Sequence, residues 1–145
     1  MPDDTAKPNG TVIAFDFGYR RIGVAVGQTL TGTANPLAVV PVANKPDWQA
    51  IAVILDEWKP AAIVVGLPID QDGGETELSK AARRFGRQLL GRFSIPVLFE
   101  DERLTSFTAE QRFVDARARG EMRQKNAALK DAIAAQIILE SWLQA

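Results

Sequence analysis

The sequence predicts an α/β protein with a mixed five-stranded sheet and flanking helices, in which three antiparallel strands precede βαβ units. Three short apolar runs, separated by turn residues, open the chain. The hydrophobic period then changes to that of helices, which alternate with further strands. The length of 145 residues corresponds to one domain. We place this domain at 11–145, behind a flexible N-terminal tail at 1–10.

The first three strands are predicted at Thr11–Asp16, Ile22–Gly27 and Pro36–Val42. A turn at 18–21 and a Gly/Thr-rich stretch at 31–35 separate them. Because both connections are short, they favour antiparallel pairing. The three strands should therefore form a meander.

The rest of the chain alternates helices with strands. One helix begins after an Asp47 cap and stops at Pro60. The run Ala62–Gly66 is continuously apolar and β-branched, which is typical of a strand covered on both faces. The remaining elements are predicted as a strand at Pro96–Glu100 and as helices at Thr76–Leu90, Phe107–Ala118 and Ala127–Leu143.

Composition excludes several classes of enzyme. The chain contains no cysteine and no histidine, so disulfides, thiolate zinc sites, cysteine nucleophiles and Ser-His-Asp triads are ruled out. Any chemistry must use carboxylates, lysine, hydroxyls or a bound metal. No apolar run approaches the ~20 residues of a membrane span, and the polar N-terminus does not resemble a signal peptide. We therefore expect a cytoplasmic protein without membrane contact.

Positive charge is concentrated in the second half of the chain. Residues 80–130 carry twelve Lys or Arg against six Asp or Glu, although the net charge is −1. Such a block can attract a polyanion or can be a solvated helix face. Within the helix Thr76–Leu90, four cations lie opposite the apolar stripe, which favours the solvated interpretation: Lys80, Arg83, Arg84 and Arg87.

Three carboxylates occupy positions where a site would be expected. Asp16 ends the first strand and Glu102 follows the fifth, and sites in open α/β sheets gather at the carboxyl ends of strands. Asp131 lies on an otherwise small or apolar stripe of the last helix, where an acid costs free energy unless it is paired or binds a metal. Without histidine, oxygen ligands for Mg²⁺ or Mn²⁺ are the natural inference. Taken singly, each could instead be a turn residue, a polar strand end or a partner of the helix dipole.

Several motifs, in this order along the chain, resemble those of the YqgF family. They are Asp16-Phe17-Gly18, Arg20–Val26, Val65–Pro68, Asp101–Ser106 and Lys130-Asp131-Ala132. The resemblance runs from about Thr11 to Leu143, which is nearly the whole chain. Members of that family are described as nucleases of pre-16S ribosomal RNA, and formerly as Holliday-junction resolvases.

The resemblance implies a ribonuclease H-like fold and a metal-dependent nuclease, with Asp16, Glu102 and Asp131 as catalytic metal ligands. It also implies a role in ribosome biogenesis, with precursor 16S rRNA as the substrate and ribosomal particles as further partners. A resolvase acting on branched DNA and a non-catalytic ribosome-assembly or RNA-binding factor stay open. Because no heptad seam is present, we expect a monomer or a weak dimer. We interpret Asp70 and Asp72 as loop residues.

Candidate substrate contacts surround these carboxylates. Arg21 and Arg103 could contact phosphate, with a surface or structural ion pair as the alternative for each. Tyr19 lies in the turn after Asp16 and is the best-placed ring for stacking on a single-stranded base. Packing within the turn is the alternative for this ring.

Replacing Arg119, Arg123 and Lys125 together by alanine should weaken RNA binding and flatten its salt dependence. The segment Arg119–Asn126 is polar, contains Gly120 and precedes the last helix, so we expect a mobile basic flap beside the carboxylates. Each lost phosphate contact lowers the slope of log K against log salt by about 0.7 for a single strand. Anisotropy titrations at several salt concentrations measure this slope, and an unchanged slope would indicate a plain solvated loop.

Overall fold

The computed structural model of the chain describes residues 9–102 and 127–144. Five strands form one sheet: Thr11–Asp16 (β1), Arg21–Gln28 (β2), Thr33–Pro41 (β3), Ala62–Leu67 (β4) and Val97–Asp101 (β5). The described helices are Trp48–Trp58 (α1), Glu77–Phe93 (α2) and Ala127–Gln144 (α3). In these ranges, every helix lacks the length or the apolarity needed to cross a membrane. The predicted tail up to residue 8, helix Phe107–Ala118 and flap Arg119–Asn126 lie outside the described residues.

The sheet has the strand order β3-β2-β1-β4-β5. The pairs β1–β2 and β2–β3 are antiparallel, whereas β1–β4 and β4–β5 are parallel. The predicted mixed sheet is therefore confirmed. Because β1, β4 and β5 run in one direction, their carboxyl ends meet at one edge of the sheet.

Two element boundaries differ from the prediction by three residues, whereas the other described boundaries agree within one residue. The strand β3 begins at Thr33, which pairs with Gln28, and not at Pro36 as predicted. The stretch 31–35 has few apolar side chains, but its backbone can still pair with β2, because strand pairing uses backbone groups. The helix α2 begins after its Thr76 cap, whose hydroxyl accepts a hydrogen bond from the Ser79 N–H at 3.0 Å. It continues to Phe93, which packs on the core beneath α1 and α2.

The two faces of the sheet differ in the size of their side chains. Along β1, alternate residues point to opposite faces, so Ile13 and Phe15 pack beneath α1 and α2, while Val12 and Ala14 pack beneath α3. The first face is dominated by large residues, among them Ile22, Ile51, Ile63, Phe85 and Leu89. The strand side of the second face contributes mostly small residues, among them Ala25, Ala34 and Val64.

Glycines of β2 let α3 approach the sheet backbone. A Cβ at Gly23 would overlap the backbone carbonyl of Asp131, and one at Gly27 would lie 2.9 Å from Cδ2 of Leu139. Gly23 and Gly27 are four strand residues apart, about 13 Å, and Asp131 and Leu139 are eight helical residues apart, about 12 Å. Because these two distances match, both contacts form when α3 runs along β2 in the same direction. This register places Asp131 at the carboxyl end of β1.

The sheet ends in two unlike edge strands. On one side, β3 carries Pro36 and Pro41 within its pairing register. On the other side, β5 exposes Leu98 and Phe99. The two edges therefore differ in how readily another chain could pair with them.

Gly23→Ala should lower the free energy of unfolding by about 3 kcal/mol, because its Cβ would displace the α3 backbone at Asp131. Gly91→Ala is the matched control. Gly91 lies in α2 with no heavy atom within 4 Å of its would-be Cβ, so alanine should stabilise the helix slightly there. Urea unfolding of both variants measures the difference, and equal stabilities would contradict the close approach of α3.

Candidate active site at the carboxyl end of the sheet

Asp16, Glu102 and Asp131 are associated with one face of the sheet, the face that α3 covers. Asp16 continues the alternation of the β1 residues that pack beneath α3. In β5, Glu100 accepts a hydrogen bond at 2.7 Å from the hydroxyl of Ser141 on α3. Glu102 lies two residues later, and its backbone N–H donates to the carbonyl of Leu67 at 3.1 Å. The pairing between β5 and β4 thus extends to Glu102 and points its side chain to the face of Asp16.

Gly66 provides the space for the Glu102 carboxylate. A Cβ at Gly66 would lie 2.6 Å from Oε2 of Glu102 and 2.5 Å from Cδ1 of Ile138. The Oε2 atom is itself buried. Position 66, near the end of β4, must therefore lack a side chain for the Glu102 carboxylate to fit between the sheet and α3.

The packing of α3 on β2 places Asp131 beside Asp16. Asp16 pairs with Gly23 in the antiparallel register, and Gly23 contacts the backbone of Asp131. On the predicted stripe of α3, Ala135, Ile138 and Trp142 are buried and Ala134 is half-buried. Asp131 stands at the polar end of this stripe, beside Asp16.

Burial and the proximity of neighbouring carboxylates raise the pKa values of Asp16 and Glu102. Burial, with a smaller contribution from the negative charge of Asp131, raises the pKa of Asp16 to about 7. Burial likewise raises the pKa of Glu102 to about 8, with smaller contributions from the charges of Asp16 and Asp101. Asp16 therefore interacts with both of the other two carboxylates.

Arg21 forms an ion pair with Asp131. Its Nε donates to Oδ2 of Asp131 at 2.7 Å, with side chains 48% and 29% exposed. This is the structural pairing that the sequence left open for Arg21. Because the pair is partly exposed, it contributes at most about 1 kcal/mol to stability. Its main effect is to hold the Asp131 carboxylate toward β2.

The acids are near one another without forming a compact ligand cluster. Within residues 9–102 and 127–144, no three acidic side chains converge closely enough to ligate one metal ion together. The ion pair with Arg21 engages one carboxylate oxygen of Asp131, which gives a physical reason for the wider spacing. Nothing but oxygen is available as a strong ligand, since the chain lacks histidine and cysteine.

Other predicted residues have different outcomes. Arg103, Arg119, Arg123 and Lys125 lie outside the described residues. Asp70 and Asp72 are exposed, and Oδ1 of Asp70 accepts a hydrogen bond from the N–H of Gln71 at 2.9 Å, as expected of loop residues.

The sequence prediction missed the positioning role of Gly23 and Gly66. The signal that could have found them is a glycine inside a strand pattern, which often marks a close approach of another element.

The chain matches known proteins over almost its whole length. Residues 10–145 match the model of the RuvX family, described as Holliday junction resolvase. A protein of Hydrogenovibrio crunogenus named "Putative pre-16S rRNA nuclease" is 50% identical over 141 residues, which cover 96% of this chain and 98% of the relative.

Solved structures of resolvases have a similar fold. The Holliday junction resolvase of fowlpox virus aligns with a TM-score of 0.56 at 15% identity and covers 92% of this chain and 98% of its own. RuvC of T. thermophilus, solved in complex with a Holliday junction substrate, aligns with a TM-score of 0.52 at 20% identity and covers 90% and 92%. These likenesses confirm the predicted ribonuclease H-like fold.

Asp16→Asn and Glu102→Gln should each stabilise the metal-free protein at pH 8, by on the order of 1–3 kcal/mol. Both carboxyl groups have a folded-state pKa above their ordinary value. The folded protein therefore binds more protons than the unfolded chain between about pH 4 and 8, and the free energy of unfolding falls as pH rises through this window. Each of the two substitutions replaces a titrating carboxyl group by an amide, so each should reduce the dependence of the free energy of unfolding on pH.

Urea unfolding in EDTA at pH 5, 6.5 and 8 measures this effect. Asp56→Asn is the control, since Asp56 is an exposed acid on α1 and its replacement should leave the slope unchanged. Slopes equal to that of the unmodified chain in both site variants would contradict the burial of these carboxylates.

Proposed function

Because the chain belongs to the RuvX family, the YqgF family that its motifs resemble, we propose that it is a metal-dependent nuclease of precursor 16S ribosomal RNA. The reaction is hydrolysis of a phosphodiester bond. Its place would be the maturation of the 5′ end during ribosome biogenesis, in the cytoplasm. The name of the Hydrogenovibrio crunogenus relative supports this substrate.

One observation carries the proposal of a nuclease: two half-buried carboxylates, Asp16 and Glu102, and a third beside them lie at the carboxyl edge of the sheet. The pKa values of Asp16 and Glu102 are raised by burial and by neighbouring negative charge. The raised pKa values mean that the ionised carboxylates are unfavourable in the folded protein. This loss of stability is expected at a site where a bound cation compensates the negative charges. A binding protein for a polyanion would gain nothing from acids at this place, which argues against a non-catalytic assembly factor.

The chemistry of the donor set fits a hard divalent cation, although the three carboxylates would have to move closer together to share one ion. Asp16, Glu102 and Asp131 offer carboxylate oxygens, which suit Mg²⁺ or Mn²⁺. When bound, such an ion supplies a Lewis acid that activates water and stabilises the leaving oxygen of a phosphodiester. Arg21 would then exchange its ion pair with Asp131 for a contact with substrate phosphate, for which its partly exposed side chain is available.

Further phosphate contacts are assigned to basic residues after β5. We place Arg103 beside Glu102 because the two are adjacent in the chain. Arg119, Arg123 and Lys125 would contact the backbone of the RNA from the segment that precedes α3. Ribosomal particles are the natural larger partner of such an enzyme.

A junction resolvase is the second candidate, favoured by the description of the matching family. Symmetric cleavage of a four-way junction requires two carboxylate clusters at a fixed separation, and thus a stable dimer. One chain of this size offers one such cluster. We therefore favour RNA and a monomer or weak dimer over branched DNA.

Asp16→Asn, Glu102→Gln and Asp131→Asn should each reduce cleavage by at least about a hundredfold, because each removes a charge from the cation site with little change of shape. The assay compares a precursor 16S rRNA leader with a four-way DNA junction, each with Mg²⁺ and with Mn²⁺. We expect cleavage of the leader, loss of cleavage in EDTA and full activity of the control Asp56→Asn.

The same assay separates the candidates. Full activity in any of the three amide variants would remove that residue from the site. Symmetric cutting of the junction by a dimer in sedimentation experiments, with the leader left intact, would overturn the choice of RNA.

A further inference from the structure

A second concave site lies around the β1–β2 turn, on the face of the sheet opposite to the carboxylates. It is a cavity of about 330 Å³, which is within the range of small-molecule sites. The turn contributes Phe17 and Tyr19, and the segment 42–46 after β3 contributes one wall. The other wall is a face of α2, with Ala81, Arg84, Phe85 and Gln88.

The lining combines an aromatic floor with a positive, hydrogen-bonding edge. Phe17 packs on the buried ring of Phe85 with centroids 5.2 Å apart, and Tyr19 contacts Phe17 edge-on at 6.1 Å. Tyr19 is 59% exposed, so ring surface is left for a ligand. Among the described residues that line the cavity, two are cationic, two carry side-chain amides and none is acidic.

Within the part of the chain that the structure describes, no acid neutralises the two cations of the cavity. Lys80 and Arg83, their neighbours on α2, pair with Glu77 at 3.5 Å and with Glu75 at 2.8 Å. In the ranges that the structure describes, Lys45 and Arg84 form no ion pair with any acid. Their charge is therefore available to an anionic group of a ligand.

The cavity is within reach of a strand bound at the carboxylates. Tyr19 follows Asp16 by three residues, so their Cα atoms lie within about 11 Å of each other. The turn is held tightly, because a Cβ at Gly18 would lie 2.6 Å from the carbonyl oxygen of Arg21. A polynucleotide could thus pass around a fixed turn from the carboxylates to the cavity.

We propose that this cavity holds one unpaired nucleotide of the RNA substrate, with its base against Phe17 and Tyr19 and its phosphate on Lys45 and Arg84. Asn44 and Gln88 also line the cavity, and their amide groups would hydrogen-bond to polar edges of the base. Aromatic rings can stack on any base. A base inside a duplex is already paired and stacked on its neighbours, so it would have to leave the helix before it could enter the cavity. The cavity therefore selects single-stranded over paired substrate. This inference rests on the proposed function.

The test measures binding of a fluorescent single-stranded leader RNA in EDTA, where cleavage is prevented. Tyr19→Ala, Lys45→Ala and Arg84→Ala should each weaken binding at least fivefold, and the two cation variants should each lower the salt slope by about 0.7. Tyr19→Phe should stay within twofold of the unmodified chain because it keeps the ring. Arg87→Ala and Lys59→Ala remove exposed cations that do not line the cavity and should change affinity less than twofold.

Two further arms identify the ligand. The same RNA annealed to its complement should bind the Tyr19→Ala variant as well as it binds the unmodified chain. RNA carrying a photoreactive uridine should crosslink to Tyr19, which is the only tyrosine of the chain. Unchanged affinity in Tyr19→Ala, or equal losses in Arg84→Ala and Arg87→Ala, would overturn the proposal.

The outcomes also separate this inference from the proposed nuclease. Cleavage that depends on Asp16, together with binding that ignores Tyr19, would leave the nuclease intact and reject the cavity. Binding that depends on Tyr19, without cleavage in Mg²⁺ or Mn²⁺, would reject the nuclease and support the cavity.

Discussion

The backbone contact between α3 and β2 at Gly23 is the constraint on which the rest of the site depends. It fixes the distance of α3 from the sheet, and the second glycine contact, at Gly27, fixes its direction. The packing of α3 against β2 then places Asp131 beside Asp16. Both residues belong to regular secondary structure, so this arrangement does not depend on the conformation of a loop. One inserted residue between the two contact points of α3 would turn Asp131 by about 100°. The length of this helical segment is therefore under as strict a constraint as the identity of the acid.

The gathered carboxylates oppose the stability of the fold around them. Asp16 and Glu102 are disfavoured as anions by burial, and each is also affected by a neighbouring negative charge. Arg21 balances part of this charge through its pair with Asp131. Large apolar side chains beneath α1 and α2 stabilise the opposite face of the same sheet. The large apolar side chains and the carboxylates thus occupy opposite faces of the sheet.

Local patterns predicted much of this molecule, and contacts between distant segments account for what they could not predict. The strands and α2 follow from alternation, apolar period and caps, and the motifs around Asp16 and Glu102 stand at strand ends that the sequence makes visible. The pairing of Arg21 with Asp131 joins positions 110 residues apart, which no window of sequence contains. The same holds for the cavity, because Lys45 and Arg84 belong to separate elements that only the packed sheet brings together. The polar start of β3 escaped prediction because its pairing uses backbone groups alone.

The prolines of β3 affect how copies of this protein meet at high concentration. Pro36 and Pro41 have no N–H to donate, so a further strand cannot complete a regular ladder along that edge. Open-ended growth of the sheet into fibres is therefore hindered from this side even at high protein concentration. Protection against aggregation is therefore unequally distributed, and a designer seeking a more soluble variant would begin at the opposite edge, with Leu98 and Phe99.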